Sequence, residues 1–284
     1  MVIGIYTTVI CNIKLQRLTN YTSKRDKLIV FYINHFRWQN TFVTMSEWYK
    51  TWFDSEYYHL LYKDRDHTEA ENFIQKIYQY LTPAPHALML DLACGKGRHS
   101  IHLQKMGAIV EGCDYSENSI QHAKQFENNA LCFYTHDMRN PLPKKYDYIF
   151  NLFTSFGYFD TLKEHQQTLN HIYTGLNDNG TFVFDFMNIP FILDQLISHE
   201  TVTKGPVEFN IIRKEINGTL QKHISFKDNG QHYTFTEEVA AFRPDEIMAM
   251  MKKTGFAIQD TFGDYALSPY HSTHSKRFIL IATK

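Results

Sequence analysis

The chain has 284 residues, 43% hydrophobic and 21% charged, a globular balance that excludes wholesale disorder and leaves room for one large α/β domain or one domain with a small insertion. Lys and Arg total 29 against 30 Asp and Glu, and a formal net charge of -1 disfavours a nucleic-acid partner, whose usual signature is a basic surplus. Cys11, Cys94, Cys113 and Cys132 are too sparse for a disulfide framework, no CxxC pair suggests zinc, and no apolar run is long enough to span a bilayer.

Residues 1–44 mix short apolar runs with Asn, Thr and Lys and show no sustained period. They read either as an N-terminal extension packed on the domain or as sequence upstream of a true start at Met45; both readings stay open. The opening stretch Val2–Cys11 lacks the basic region and small-residue cleavage site of a signal peptide. Free thiols suit a reducing cytoplasm, so a cytoplasmic location is expected. From Met45 the pattern sharpens into Trp48, Trp52 and Phe53, then the aromatic run Tyr57–Tyr62.

Thr68 and Glu71 have the spacing of a capping box, and Phe73, Ile74, Ile77, Tyr78 and Leu81 recur at helical intervals until Pro83 and Pro85. Apolar runs at Ala87–Leu92, Ala108–Cys113, Leu131–Thr135, Tyr146–Leu152 and Thr181–Phe186 read as strands buried on both faces. Helices are expected between them at Ser116–Phe126 and Leu162–Leu176. This alternation predicts an open, doubly wound, mostly parallel sheet. The rhythm then changes. Val207–Ile216, Thr219–Lys227 and Gln231–Phe242 read as antiparallel strands joined by Asn217-Gly218 and Asp228-Asn229-Gly230, both hairpin signals. They form an insertion of about 190–242 within a domain of 45–284. A helix follows at Pro244–Thr254, ended by Gly255, with Met250 and Met251 as core filling. The last strands are Phe256–Phe262 and Phe278–Ala282.

The chemistry concentrates where the first strand turns into a helix, at Asp91-Leu92-Ala93-Cys94-Gly95-Lys96-Gly97-Arg98. Gly95 and Gly97 allow a tight turn and close approach of a ligand to the backbone. The helix N-terminus that follows offers free N–H groups to a phosphate or a carboxylate. About twenty residues on, Asp114 ends the second strand, where a carboxylate can hold a ribose diol. A dinucleotide would want a third glycine where Ser100 stands.

Asp91-x-Ala93-Cys94-Gly95-x-Gly97 resembles motif I of the class I S-adenosylmethionine-dependent methyltransferases, with alanine where the family often has its first glycine. The resemblance runs from about residue 68 to the end of the chain. It implies a Rossmann-like, seven-stranded sheet with a reversed final strand, and S-adenosylmethionine as cofactor. It implies cofactor contacts from Asp91, Ala93, Cys94, Gly95 and Gly97, from Asp114 with its neighbour Tyr115 at the ribose, and from Asp137 and Met138 at the adenine. Asn151 ends the strand that borders the transferred methyl. In several small-molecule members an N-terminal tyrosine and arginine close over the cofactor carboxylate, roles that fall to Tyr62 and Arg65. A structural reading stands beside each role: Asp91 as a loop holder, Asp114 as a helix-end acid, Asp137 as a solvated loop acid, Cys94 as inert.

Bound, such a cofactor brings an electrophilic methyl, and the protein's task is alignment, worth on the order of 7–11 kcal/mol, with a base if the acceptor carries a proton. Tyr158, His271 and His274 are the base candidates. His271-x-x-His274 lacks a third ligand, so no metal is expected. The acceptor, an O, N, S or C atom, is expected on a small molecule, enclosed by the insertion as a lid through Tyr233, Phe235, Phe242, His223 and His232. The alternatives are a NAD-dependent oxidoreductase, a non-catalytic cofactor-binding protein and a nucleic-acid methyltransferase.

Overall fold

The computed structural model describes residues 48–63 and 67–284. The extension 1–44, Met45 and Arg65 lie outside the described residues. The described residues belong to one compact unit.

Two short helices, α1 (Trp48–Trp52) and α2 (Glu56–Leu61), lead into α3 (His67–Leu81). Then β1 (Leu88–Leu92), α4 (Arg98–Lys105), β2 (Ile109–Asp114), α5 (Glu117–Ala123), β3 (Leu131–Thr135), β4 (Tyr146–Asn151), α6 (Leu162–Thr174) and β5 (Leu176–Met187) build the doubly wound part. After α7 (Ile189–Asp194) come β6 (His199–Lys204), β7 (Val207–Ile216), β8 (Thr219–Asp228) and β9 (Gln231–Ala240). The chain closes with α8 (Pro244–Thr254), β10 (Ala257–Phe262) and β11 (Arg277–Thr283). The strands assemble as a seven-stranded sheet in the order β10-β11-β5-β4-β1-β2-β3 and a four-stranded sheet in the order β6-β7-β8-β9. Strand β11 runs antiparallel to β5 and β10, whereas the pairs from β5 through β3 are parallel. The predicted fold, with its reversed final strand and antiparallel insertion, is the observed one.

Period-two alternation sorts the large sheet into two covered faces. Leu90, Leu92, Phe182, Phe184, Phe186, Phe278 and Leu280 point to one core, closed by Leu169 and Ile172 of α6 and Ile247, Met250 and Met251 of α8. Met89, Val110, Phe150, Val183, Ile279 and Ile281 point to the other, closed by Phe73, Ile74 and Ile77 of α3, Leu103 of α4 and Ile120 of α5. Each such side chain contributes roughly 1.5–3 kcal/mol on burial. The insertion has a third core of its own. Phe209, Ile211, Ile224 and Phe226 pack against Trp52 of α1 and Leu61 of α2.

Several expectations are corrected. Helix α3 already includes His67, so Thr68 sits in its first turn, not at its cap. The α-helical part of 116–126 stops at Ala123 and tightens into a 3-10 turn. Helix α6 ends at Thr174, capped by Gly175, and β5 begins at Leu176, five residues before the apolar run. The insertion holds a fourth strand, β6, and α7 precedes it. Both hairpins form as two-residue turns with positive φ at Asn217, Gly218, Asn229 and Gly230.

Trp52 is fully buried at the seam between α1 and the insertion, so Trp52→Ala should cost about 3–5 kcal/mol. Hydrogen exchange should then accelerate first in β6–β9, with β1–β5 still protected. Uniform acceleration across both sheets would show that the insertion has no separate core.

Candidate active site

In an open α/β sheet the loops at the carboxyl ends of the strands gather along one rim, and ligands bind there. A cavity of about 490 Å³ lies along that rim, within the roughly 300–1,000 Å³ usual for small-molecule sites. Its walls come from the loops after β1, β2, β3 and β4, from α1, α2 and the residues just after α2, and from one residue of β9, Glu237.

The loop after β1 turns through Ala93 (φ 66°), Gly95 (φ 56°) and Gly97 (φ 83°). Cys94 N–H donates to the Cys113 carbonyl at 2.9 Å, continuing the β1–β2 pairing into the turn. The two glycines serve different ends. A Cβ on Gly97 would meet the Phe133 ring at 2.7 Å, so that glycine admits packing of β3 beneath the loop. A Cβ on Gly95 would meet nothing within 4 Å, because the space beside it belongs to the cavity. Ala93, Cys94 and Gly95 line the cavity; Gly97 lies behind it, as the N-cap of α4 with no side-chain cap. The first N–H groups of α4 therefore face ligand or solvent unless a carboxylate takes them.

Asp91 takes that structural part. It is 1% exposed, absent from the cavity wall, and accepts a 2.6 Å hydrogen bond from Ser100 Oγ in α4. Burial pushes its carboxyl up to about 6, against the opposing pull of the Ser100 hydroxyl and N–H. The sequence expectation of cofactor contact by Asp91 thus gives way to loop holding, and the serine at the third-glycine position is its partner.

Asp114 does line the cavity. Its Oδ2 accepts from Gly95 N–H and its Oδ1 from Ser116 N–H, both at 2.8 Å. Burial raises its carboxyl, and the backbone donors of Ser116 and Gly95 counter that. An ionised carboxylate has about four acceptor sites, so capacity is left for a diol. Tyr115 stands beside it in the wall.

After β3, His136, Asp137 and Met138 line the cavity. Asp137 is already engaged: Arg139 donates from Nη2 at 2.6 Å, Nε at 3.1 Å and its backbone N–H at 2.9 Å. Burial pushes the Asp137 carboxyl up, but Arg139 outweighs it and holds the group below the usual carboxylate range. The neighbouring His136 is kept neutral by burial, and its buried Nε2 has no hydrogen-bond partner among the described residues. That atom, more than Asp137, has unused capacity for a purine edge. After β4, Asn151 is buried behind the wall, its amide donating to the Leu92 carbonyl at 3.0 Å, so it ties β4 to β1 and does not reach the cavity.

Tyr62 reaches the wall, but its hydroxyl donates to Glu237 Oε1 at 2.8 Å and accepts from Lys222 Nζ. Trp52 Nε1 also donates to Glu237 Oε1, at 2.6 Å, and Lys222 Nζ lies 3.6 Å from Oε2. Of the base candidates, Tyr158 lines the cavity, packed between Trp48 and Phe53 at 5.6 Å. His271 and His274 do not; they stack on each other in the exposed loop before β11. None of the five side chains expected of a lid reaches the cavity either. Phe235 and Tyr233 bury the insertion under Trp52 and Tyr57, and Phe242 joins the main core beside His165. His223 bonds Thr236, and His232 is exposed. The sequence reading missed His59, Lys96 and Glu237. The last was legible: alternation along β9 puts it on the covered face with Tyr233, Phe235 and Val239, where a charge is out of place. No helix of the described residues is long and apolar enough to cross a membrane, and no cluster of three or more metal-binding side chains occurs among them.

The arrangement fits S-adenosylmethionine, with a cradle that a Cβ at Gly95 would fill, an acid with spare acceptor sites and an unpartnered ring nitrogen. Comparison agrees. A family model described as a methyltransferase domain matches residues 84–255. The chain is 28% identical over 230 residues to a glycine/sarcosine N-methyltransferase of Halorhodospira halochloris, covering 78% of this chain and 82% of that one. It is 24% identical over 225 residues to a dTDP-3-amino-3,4,6-trideoxy-alpha-D-glucopyranose N,N-dimethyltransferase of Streptomyces venezuelae, covering 72% and 90%. In fold it is similar to an S-adenosylmethionine-dependent methyltransferase from Clostridium acetobutylicum, with TM-score 0.67 and 20% identity over 80% of this chain and 95% of that one.

Contrasting the two glycines tests the cradle. Gly95→Ala should melt within about 2 kcal/mol of the parent, since Ala93 already sits in the same backbone region, yet bind S-adenosylhomocysteine at least tenfold more weakly in calorimetry. Gly97→Ala should lose about 2–4 kcal/mol of stability through the Phe133 clash and left-handed strain. Unchanged affinity in Gly95→Ala would remove that backbone from the site.

Proposed function

The chain belongs to the class I S-adenosylmethionine-dependent methyltransferases, and from that premise we propose that it methylates the nitrogen of a small polar amine. Bound, the cofactor supplies a methyl group made electrophilic by its positive sulfur. The residues that would hold it are Gly95 and the α4 N-terminus for the amino-acid end, Asp114 for the ribose, and His136 and Met138 for the adenine.

One observation carries the choice of acceptor. The wall supplied by residues 49–63 and the insertion carries four aromatic rings, Tyr49, Phe53, Tyr58 and Tyr62, beside His59 and Lys63, and one carboxylate, Glu237, which Trp52, Tyr62 and Lys222 hold in place. Rings and an acid together favour a cation, the rings through their negative faces and the acid by charge-assisted hydrogen bonding. Both relatives named above are N-methyltransferases, one acting on glycine or sarcosine and one on an amino sugar nucleotide, which supports the same reading. Confinement of the wall to a cavity of about 490 Å³ and a net charge of -1 support a small acceptor in preference to nucleic acid. Buried free thiols at Cys94 and Cys113 support a reducing, cytoplasmic setting.

An ammonium must lose a proton before its nitrogen can accept a methyl. In the wall, His59 is suited to take it. Burial and then the nearby Lys96 lower its pKa below the ordinary 6.5, which keeps the ring neutral at pH 7. Tyr158, held between Trp48 and Phe53 in the same wall, would orient the acceptor by ring contact.

A panel of glycine, sarcosine and amino-sugar nucleotides with methyl-labelled cofactor should give transfer to nitrogen. Glu237→Gln should raise the amine KM about tenfold or more, in line with loss of a hydrogen bond to a charged group, with S-adenosylhomocysteine affinity changed less than threefold. Transfer only to oxygen or carbon acceptors would overturn the amine assignment. Because the folded pKa of His59 is lowered, its neutral form persists as pH falls, so kcat should stay level at neutral pH and drop only below about 6.5. His59→Gln should abolish that acid limb; an unaltered profile would exclude His59 as the base.

A further inference from the structure

The loop after β4 passes through two consecutive left-handed residues, Phe153 (φ 59°) and Thr154 (φ 62°). Neither is glycine, and each is strained in that conformation because its Cβ crowds the following carbonyl. Such a turn persists only where its surroundings over-determine it. Here the restraining bonds converge on one side chain. Asp185 of β5, 0% exposed, accepts from Phe153 N–H at 2.8 Å and from Tyr265 OH at 3.1 Å through Oδ2. Its Oδ1 accepts from Arg277 Nε at 2.8 Å and lies 2.7 Å from Nη2 in the ion pair. The same guanidinium donates to Thr154 Oγ1 at 2.9 Å, and the Asp185 carbonyl accepts from Thr154 N–H at 3.0 Å.

A buried ion pair is weak support for a fold, since apolar residues of similar size usually serve stability as well or better. This one sits on a sheet of phenylalanines and isoleucines, and its bonds beyond itself run to the 153–154 turn and to Tyr265. Tyr265 in turn stacks on Phe153 at 5.0 Å. On its other contacts the Phe153 ring lies beneath the Arg98 guanidinium at 4.6 Å and beside His99 at 4.9 Å, the first two residues of α4. Leu152, Phe153 and Ser155 belong to the cavity wall; Asp185 and Arg277 do not. The reversed direction of β11 brings Arg277, its first residue, to the carboxyl end of β5, the end at which the cavity lies.

We propose that Asp185 and Arg277 are positioning residues for methyl transfer: they lock the 153–154 turn in its left-handed form and thereby set Phe153 as the cavity floor against the start of α4. The pair acts through backbone and ring, without touching cofactor or acceptor, and its role does not depend on which amine is methylated.

The test uses the full chain with S-adenosylhomocysteine as probe. Asp185→Asn/Arg277→Leu removes the ion pair without leaving an unpaired charge, so the variant should fold with its melting temperature near that of the parent. Its affinity for the probe should fall at least tenfold, and hydrogen exchange at Phe153 and Thr154 should accelerate. Adding Thr154→Gly, which relieves the left-handed strain, should restore most of the affinity; a pair with only a structural role would show no such rescue. Should the double variant fail to fold, Arg277→Lys carries the test, keeping the charge but losing the forked reach to Asp185 and Thr154. It should weaken the probe threefold or more at an unchanged melting temperature. Parent-like affinity in the variant tested, or no rescue by Thr154→Gly, would overturn the proposal.

Discussion

At the carboxyl end of a buried parallel strand the chain must leave the sheet, and the amide groups of the departing loop lose their ladder partners. Unmet, each costs about 1–3 kcal/mol when buried. In this chain aspartates meet that need. Asp91 at the end of β1 holds Ser100 at the start of α4, Asp114 at the end of β2 holds Gly95 and Ser116, and Asp185 near the end of β5 holds Phe153. Burial raises all three carboxyls toward protonation, opposed by Ser100 at Asp91, by the Ser116 and Gly95 amides at Asp114, and first by Arg277 and then the Phe153 amide at Asp185. The site is a set of loops pinned by these acids, and Asp114 alone of the three also faces the cavity.

The remaining wall has a different physical origin. Helices α1 and α2 cover the inner face of the four-stranded insertion through Trp52, Leu61 and the aromatic residues around them, making a core separate from those of the main sheet. Of the charged residues on that face, Glu237 is the one that reaches the cavity, with Lys222 beside it and Tyr62 bridging the two. On the proposed function, that carboxylate is the group that would receive the acceptor's ammonium. By the same proposal, the strand-end loops take the cofactor, and the N-terminal helices with the insertion take the acceptor.

Much of the fold was legible because it rests on period and turn chemistry. Continuous apolar runs marked the parallel strands, and Asn217-Gly218 with Asn229-Gly230 marked the hairpins because both central residues need positive φ. Strand β6 was not legible: His199–Lys204 is an edge strand with a single apolar residue, Val202, and its pairing with β7 decides its state. The site was legible where a residue's conformation or strand position carries the chemistry, as at Gly95 and Asp114. Where orientation decides, it was not. Asp91 opens motif I itself yet points at α4, and Asp137 turns to Arg139. His271 and His274 have the right chemistry for a base in a loop that leads away from the wall. The aromatic run Tyr57–Tyr62 showed that the segment mattered, but its partner across the insertion lies at Glu237, 175 residues from Tyr62, where no local pattern reaches.

The central claim is a division of one cavity between a cofactor held by strand-end loops and an amine held by the aromatic wall. A crystal structure of the chain with S-adenosylhomocysteine tests it most directly. The account predicts the ribose hydroxyls on the Asp114 carboxylate, the amino-acid end against Gly95 and the start of α4, the adenine beside His136, and the sulfur directed toward the space between Tyr158 and Glu237. A ligand bound with its ribose away from Asp114, or with its amino-acid carboxylate on Tyr62 beside Glu237, would contradict it.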